Sequence, residues 1–230
     1  IYPFVFSQLI SCGFSIIITR YLADCLYEGE YDNVSGSCYG IIFMAQLAGA
    51  VAALLFYWDK PLPLHLKLIT YTFFAEMIAM WLQMVYLTAL KDYKSIFVSY
   101  FAGAAISIVL TWLNLQYGFM APVEGTMLSM CIGVGILDLC FMVQIVRYFG
   151  YPSHAMNFEF LPYFEQHYKL FLLIIFYTLS IYVANFIVWN SSWGVMVAGT
   201  YLYSPRYDVI TFYAFLSILP IMIMFVVSME

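Results

Sequence analysis

The sequence predicts an all-α fold, a polytopic membrane helix bundle of about seven transmembrane helices. Three observations predict it. Mean hydropathy is +0.91, with 65% hydrophobic and 20% aromatic residues, leaving too little polar surface for a water-exposed domain of this length. Charged residues make up only 9% of the chain. Apolar runs near the length that a hydrocarbon layer of about 30 Å demands, about 20 residues each, recur seven times.

The runs follow in order. The first, Ile1 to Thr19, opens with neither Met nor a basic segment before it, so a further helix is expected upstream. It ends on "TRYLADCLYEGEYDN", Thr19 to Asn33, which gathers Arg20, Asp24, Glu28, Glu30 and Asp32. The second, Cys38 to Trp58, carries Ala45, Gly49 and Ala53 every four residues. After the joint "DKPLP", Leu66 to Leu90 forms the third; after "KDYK", Ser95 to Tyr117 forms the fourth, with Ser99, Gly103 and Ser107 on one face. Such small-residue faces let helix backbones approach closely; the alternative is that they only reflect how common small residues are in membrane helices. After "FMAPVEG", Thr126 to Phe149 forms the fifth. A longer segment, 150 to 168, mixes Phe158, Phe160, Leu161 and Phe164 with Glu159, Glu165 and His167, and reads as a short interfacial piece with Pro162 at a helix start or bend. The sixth run is Lys169 to Trp189, and the seventh, past a loop at 190 to 208, is Val209 to Glu230. Lipid offers no partner for a bare peptide group, so each run must be helical. The chain accordingly divides into a bundle at 1–149, a cytosolic connector at 150–168 and the start of a second group of helices at 169–230.

Basic residues orient the bundle. Arg20, Lys91, Lys94, Arg147 and Lys169 fall on one side, Lys60, Lys67 and Arg206 on the other, and the richer side is expected in the cytosol. Tyr57, Trp58, Tyr117, Tyr148 and Trp189 sit near run ends and read as interface anchors. The five cysteines, Cys12, Cys25, Cys38, Cys131 and Cys140, lie mostly in apolar runs without CxxC spacing or a His companion and read as packing thiols; no metal and no cofactor is expected. A net charge of -5 without clustered Lys or Arg speaks against nucleic acid. No nucleophile elbow, phosphate-cradling loop or HExxH motif is present, and His65, His154 and His167 are far apart, so an enzyme is not expected.

The remaining chemistry is charge inside the bilayer. Glu76 lies in "YTFFAEMIAMW" and Asp138 in "CIGVGILDLCF", where an ionised carboxylate costs about 2.5–3.5 kcal/mol on insertion scales. The two runs cross in the same direction, and a rise of about 1.5 Å per residue puts the carboxyls at depths differing by roughly 6 Å. Both can therefore belong to one hydrated path for substrate or protons, or each can be a neutral packing group. Arg20 and Asp24 are spaced i, i+4, which suits a helix-end charge pair or a cytosolic latch, and Arg206 with Asp208 is a local pair at the entry to a run; plain markers of the membrane boundary are the alternative for each. Lys91 with Asp92 is a similar local pair.

The blocks "TRYLADCLYEGEYDNV", "YLTALKDYKSI", "FEFLPYFEQHYKLFLLIIFYTLSIYVANFIVW" and "SPRYDVITFYAFLSILPIMIMFVVSME" resemble, in order, the PelG family, the inner-membrane transporter subunits of Pel exopolysaccharide systems. The resemblance implies a fold similar to multidrug and polysaccharide flippases, with about twelve helices in two lobes, of which these runs would be helices two to eight. It implies export of a hexosamine-containing, partly cationic exopolysaccharide for biofilm across the bacterial inner membrane. The partners it implies are a cytosolic glycosyltransferase and membrane subunits that sense cyclic di-GMP, besides membrane lipid. It leaves open whether the polymer passes by alternating access or a continuous channel, and whether the subunit instead serves as a non-transporting scaffold for the transferase. Asp24 and Asp208 fall within the resembling blocks; Glu76 and Asp138 do not, and the resemblance assigns none of these a role.

Overall fold

The structure is a computed structural model that describes residues 1–29, 31, 33–90, 93–152, 156–214 and 217. Its elements are α1 (Tyr2–Glu28), α2 (Val34–Tyr57), α3 (Leu64–Leu90), α4 (Tyr93–Tyr117), α5 (Pro122–Phe149), the short α6 (Leu161–Gln166), α7 (Tyr168–Trp189), and a two-stranded antiparallel hairpin of β1 (Val195–Val197) and β2 (Tyr201–Tyr203). Six helices among the described residues are long and apolar enough to cross a membrane, so the chain is a multi-pass membrane bundle. The seventh expected run lies largely outside the described residues, although 205–214 is helical.

Helix boundaries extend the sequence reading. Arg20, Asp24 and Glu28 do not begin a loop; they form the last two turns of α1, which stops at Gly29 in a left-handed conformation with φ of 75°. Only glycine adopts that geometry without strain, and its N–H closes onto the Cys25 carbonyl. Pro122 starts α5 where a missing N–H costs nothing, and Glu124 in the first turn and Arg147 in the last complement the helix dipole. The loop at 190–208 contains the hairpin, which the run pattern did not foresee.

By internal contacts the chain forms two compact units, Ile1–Asp59 with Pro63–Thr178, and Lys60–Leu62 with Leu179–Glu230. In the first, α3 packs against α1, α2 and α5, and α5 packs against α3 and α4. Its buried centre includes Ile18, Ile41, Ile78, Leu82 and Tyr86. Because lipid is as apolar as a leucine side chain, close van der Waals fit and hydrogen bonds hold such helices together. The two small-residue faces provide that fit. A Cβ on Gly49 would stand 2.6 Å from Ile78 Cδ1, so the Ala45–Gly49–Ala53 face lies directly on α3. A Cβ on Gly103 would stand 2.7 Å from the Gly133 carbonyl oxygen, and one on Gly133 would overlap Ser107 Oγ, so α4 and α5 meet backbone to backbone.

Side-chain hydrogen bonds reinforce these seams. Gln46 Nε2 donates to the Ala75 carbonyl at 2.6 Å, joining α2 to α3. Gln144 Nε2 donates to Ser99 Oγ at 2.6 Å, joining α5 to α4. In the second unit Trp189, expected at the lipid interface, is instead 2% exposed, because its indole has a buried acceptor. By contrast Trp58, Tyr117 and Tyr148 are largely exposed at helix ends.

The α4–α5 contact carries a direct test. Gly133→Val has no space to occupy, and overpacking of this kind costs about 1–3 kcal/mol; thermal unfolding of the purified protein in lipid should show that loss, and wild-type stability would contradict the packing described.

Candidate functional site

Three polar constellations stand out, and each is built by particular elements. The first lies mid-span between α3 and α5. Gly135 and Asp138 are three residues apart on α5 and share a face, with Cβ positions about 5–6 Å apart at such spacing. Glu76 reaches across from α3 onto that face: a Cβ added to Gly135 would stand 3.1 Å from Glu76 Oε1. Glycine at 135 leaves the room that the Glu76 carboxyl takes beside the α5 backbone. The two carboxyls are near enough to act on one another's charge, Cys131 flanks Glu76, and Tyr100 of α4 flanks Asp138. Glu76 Oε2 and Asp138 Oδ1 are buried without a hydrogen-bond partner among the described residues. The helix pair thus unites the two intramembrane acids that the sequence singled out. The apolar cleft lined by Tyr2, Phe6, Ala52, Phe56 and Phe74 is a separate feature.

The second constellation closes one end of the first unit. The connector seats its Phe160, fully buried, against Tyr21 of α1, with ring centroids 6.3 Å apart, and against the bare backbone of Gly40 in α2. Around this wedge, Tyr163 donates its hydroxyl to Asp24 at 2.7 Å. Glu159 accepts from Asn33 Nδ2 at 2.9 Å and from the Tyr21 hydroxyl at 3.3 Å. The Asn157 N–H donates to the Gly36 carbonyl at 3.0 Å, and Ser35 donates to the Gly150 carbonyl at 2.7 Å. Burial first, then the bond to Asp24, pushes the Tyr163 phenol up to about 12, so it remains a neutral donor across the ordinary pH range.

Asp24 was expected to pair with Arg20, and that pair is not formed. The ion pair found among the described residues is His65 with Glu124, at 2.8 Å, between the first turns of α3 and α5. An exposed i, i+4 pair is worth only about 0.3–0.5 kcal/mol, too little to hold Asp24 against a phenol fixed by a buried neighbour. Lys91, Asp92, Glu30, Asp32 and His154 lie outside the described residues.

The third constellation is in the second unit. Asp208 was expected beside Arg206, yet it turns inward and Arg206 stays exposed. Asp208 is 9% exposed. Its carboxylate accepts the Trp189 indole N–H at 3.1 Å on each oxygen, the Ser204 backbone N–H at 2.9 Å, and Asn185 Nδ2 at 3.4 Å. A buried carboxylate needs such donors. The arrangement ties the end of α7 to the first turn of the helical segment at 205–214, and here the carboxylate is a fastener.

Compared with known families, the chain matches PelG, described as "Putative exopolysaccharide Exporter (EPS-E)", over residues 1–230. The chain belongs to the PelG family. No curated protein and no solved structure gives a match. Within this PelG chain the sequence reading therefore named the mid-span acids but missed their glycine seat, the His65–Glu124 contact, and the acceptors that Tyr163 and Trp189 find. "GVG" at Gly133 was the available signal: two glycines one turn before Asp138, on a helix otherwise rich in bulky residues, mark a surface that something approaches closely.

Two measurements check the connector. Tyr163→Phe should remove about 0.5–1.5 kcal/mol of local stability, read as faster amide exchange across 156–167. The Tyr163 value is raised on folding, so its contribution is whole below the ordinary phenol value, about 10, and is lost as pH rises toward about 12; connector protection should fall in that window for the wild type and not for Tyr163→Phe.

Proposed function

We propose that this protein exports a hexosamine-containing, partly cationic exopolysaccharide across the bacterial inner membrane, as one subunit of a synthase–transporter complex. The observation that carries the reading is the match to an exopolysaccharide exporter family along the whole chain, on a bundle whose rare intramembrane acids converge on one helix seam. Intramembrane carboxyls are costly and are retained where they serve a path or its coupling. Glu76 and Asp138 place two carboxyls on that seam, while Lys67 and Arg147 of the same helices stand nine residues away, about 13–14 Å. When ionised, such carboxyls are complementary to amino groups on a sugar polymer. On this reading no bond is made or broken by the subunit; a cytosolic glycosyltransferase supplies the polymer, and membrane subunits that sense cyclic di-GMP are its further partners. On this reading α1 to α5 belong to the first of two lobes of a twelve-helix transporter and α7 begins the second, with residues 150–168 on the cytosolic face between the lobes.

Membrane vesicles containing the complete complex test the proposal when polymer inside and outside is measured separately from total synthesis. Glu76→Gln with Asp138→Asn should stop export while synthesis continues. Full export in the double variant rejects the acid pair as part of the path. Loss of synthesis on deleting the subunit, with no accumulation of unexported polymer, rejects transport in favour of a scaffold that anchors the transferase.

A further inference from the structure

The hairpin of the second unit presents a surface that neither the exporter reading nor the bundle uses. Residues 190–205 carry no charged side chain. Trp193, Val195, Met196 and Val197 are 59%, 48%, 62% and 45% exposed, so β1 and Trp193, two residues before it, are apolar and uncovered. Ala198 and Gly199, with φ of 51° and 61°, make the tight left-handed turn that returns the chain to β2. An apolar two-stranded ribbon of this size does not hold its shape in water unaided.

Its position is constrained at both ends. The membrane-spanning α7 runs to Trp189, and the chain is helical again at 205–214. The Trp189–Asp208 contacts draw those two ends together. The turn folds onto Pro61 of the same unit, where a Cβ on Gly199 would stand 3.1 Å from the proline ring. The ribbon is thus continuous with the place where α7 leaves the bilayer. It has no charges to keep it in water. It cannot sink into hydrocarbon either, because the sheet among the described residues has two strands and the outer edge of β1 has no neighbour to satisfy its peptide groups. The headgroup layer meets both conditions, since it solvates peptide groups while accepting apolar side chains and the amphipathic indole ring.

We propose that the β1–β2 hairpin lies in the lipid headgroup layer, with Trp193 and Met196 inserted among the lipids, so that its occupant is the bilayer surface. The surface anchors the end of α7 at a fixed depth.

Tryptophan quenching in reconstituted vesicles tests this. The full chain is placed in phosphatidylethanolamine–phosphatidylglycerol vesicles, and the Trp193 signal is taken as the difference between wild type and Trp193→Phe. A headgroup-attached spin label should quench that signal several-fold more than aqueous iodide or a label deep in the acyl chain. Met196→Asp, at an exposed position that leaves folding intact, should shift the Trp193 signal toward iodide. Quenching by iodide alone in the wild type would place the hairpin in water and overturn the proposal. Quenching by none of the probes would mean that a second copy or another protein covers it, and would overturn it equally. Because no polymer is present, the outcome is independent of the exporter reading.

Discussion

The constraint on which this structure depends is the absence of any hydrogen-bond partner in hydrocarbon. It forces the long apolar segments into helices that satisfy their own peptide groups, and it removes the hydrophobic force that would otherwise drive those helices together. Cohesion then has to come from contact distance. Gly49 against Ile78, and Gly103 against Gly133, are places where α2 meets α3 and α4 meets α5 closely. Each is a place where a missing side chain brings backbone within van der Waals reach and strengthens many weak contacts at once.

The same device positions the acids. Gly133 serves the α4 contact, whereas Gly135, two residues on, turns a different face and leaves room for Glu76. One helix therefore carries both a packing glycine and a glycine that admits a polar group, and Asp138 follows one turn later. The geometry links structural and functional demands on α5. α3, against which three helices pack, brings the second carboxyl to it.

At the end of the first unit the connector is held by a different balance. Phe160 supplies burial, while Asp24 and Glu159 accept hydrogen bonds from Tyr163, Tyr21 and Asn33. The concentration of charge around Thr19 to Asn33 thus has a physical use. In a chain so poor in polar residues, it furnishes acceptors at the place where a loop must be fastened to helix ends. Asp208 repeats the pattern in the second unit, fastening α7 through Trp189. In both cases the carboxylate chose a neutral N–H or O–H donor held by buried surroundings over a flexible arginine in solvent.

The sequence by itself determined the class of fold, the spans described here, the faces by which α2 and α4 pack, and the two acids inside the membrane. These follow from hydropathy, four-residue spacing and the cost of charge in lipid, all of which act along one helix at a time. Helix ends were less legible: α1 runs through Glu28 because hydrogen bonding carries the helix past the last apolar residue until Gly29 releases it. Only tertiary structure decided that Glu76 rests on Gly135, that Asp24 takes Tyr163 rather than Arg20, and that Trp189 is buried on Asp208. Each of these choices is a competition between donors brought together from distant segments, and no spacing within a single helix records which of them arrives.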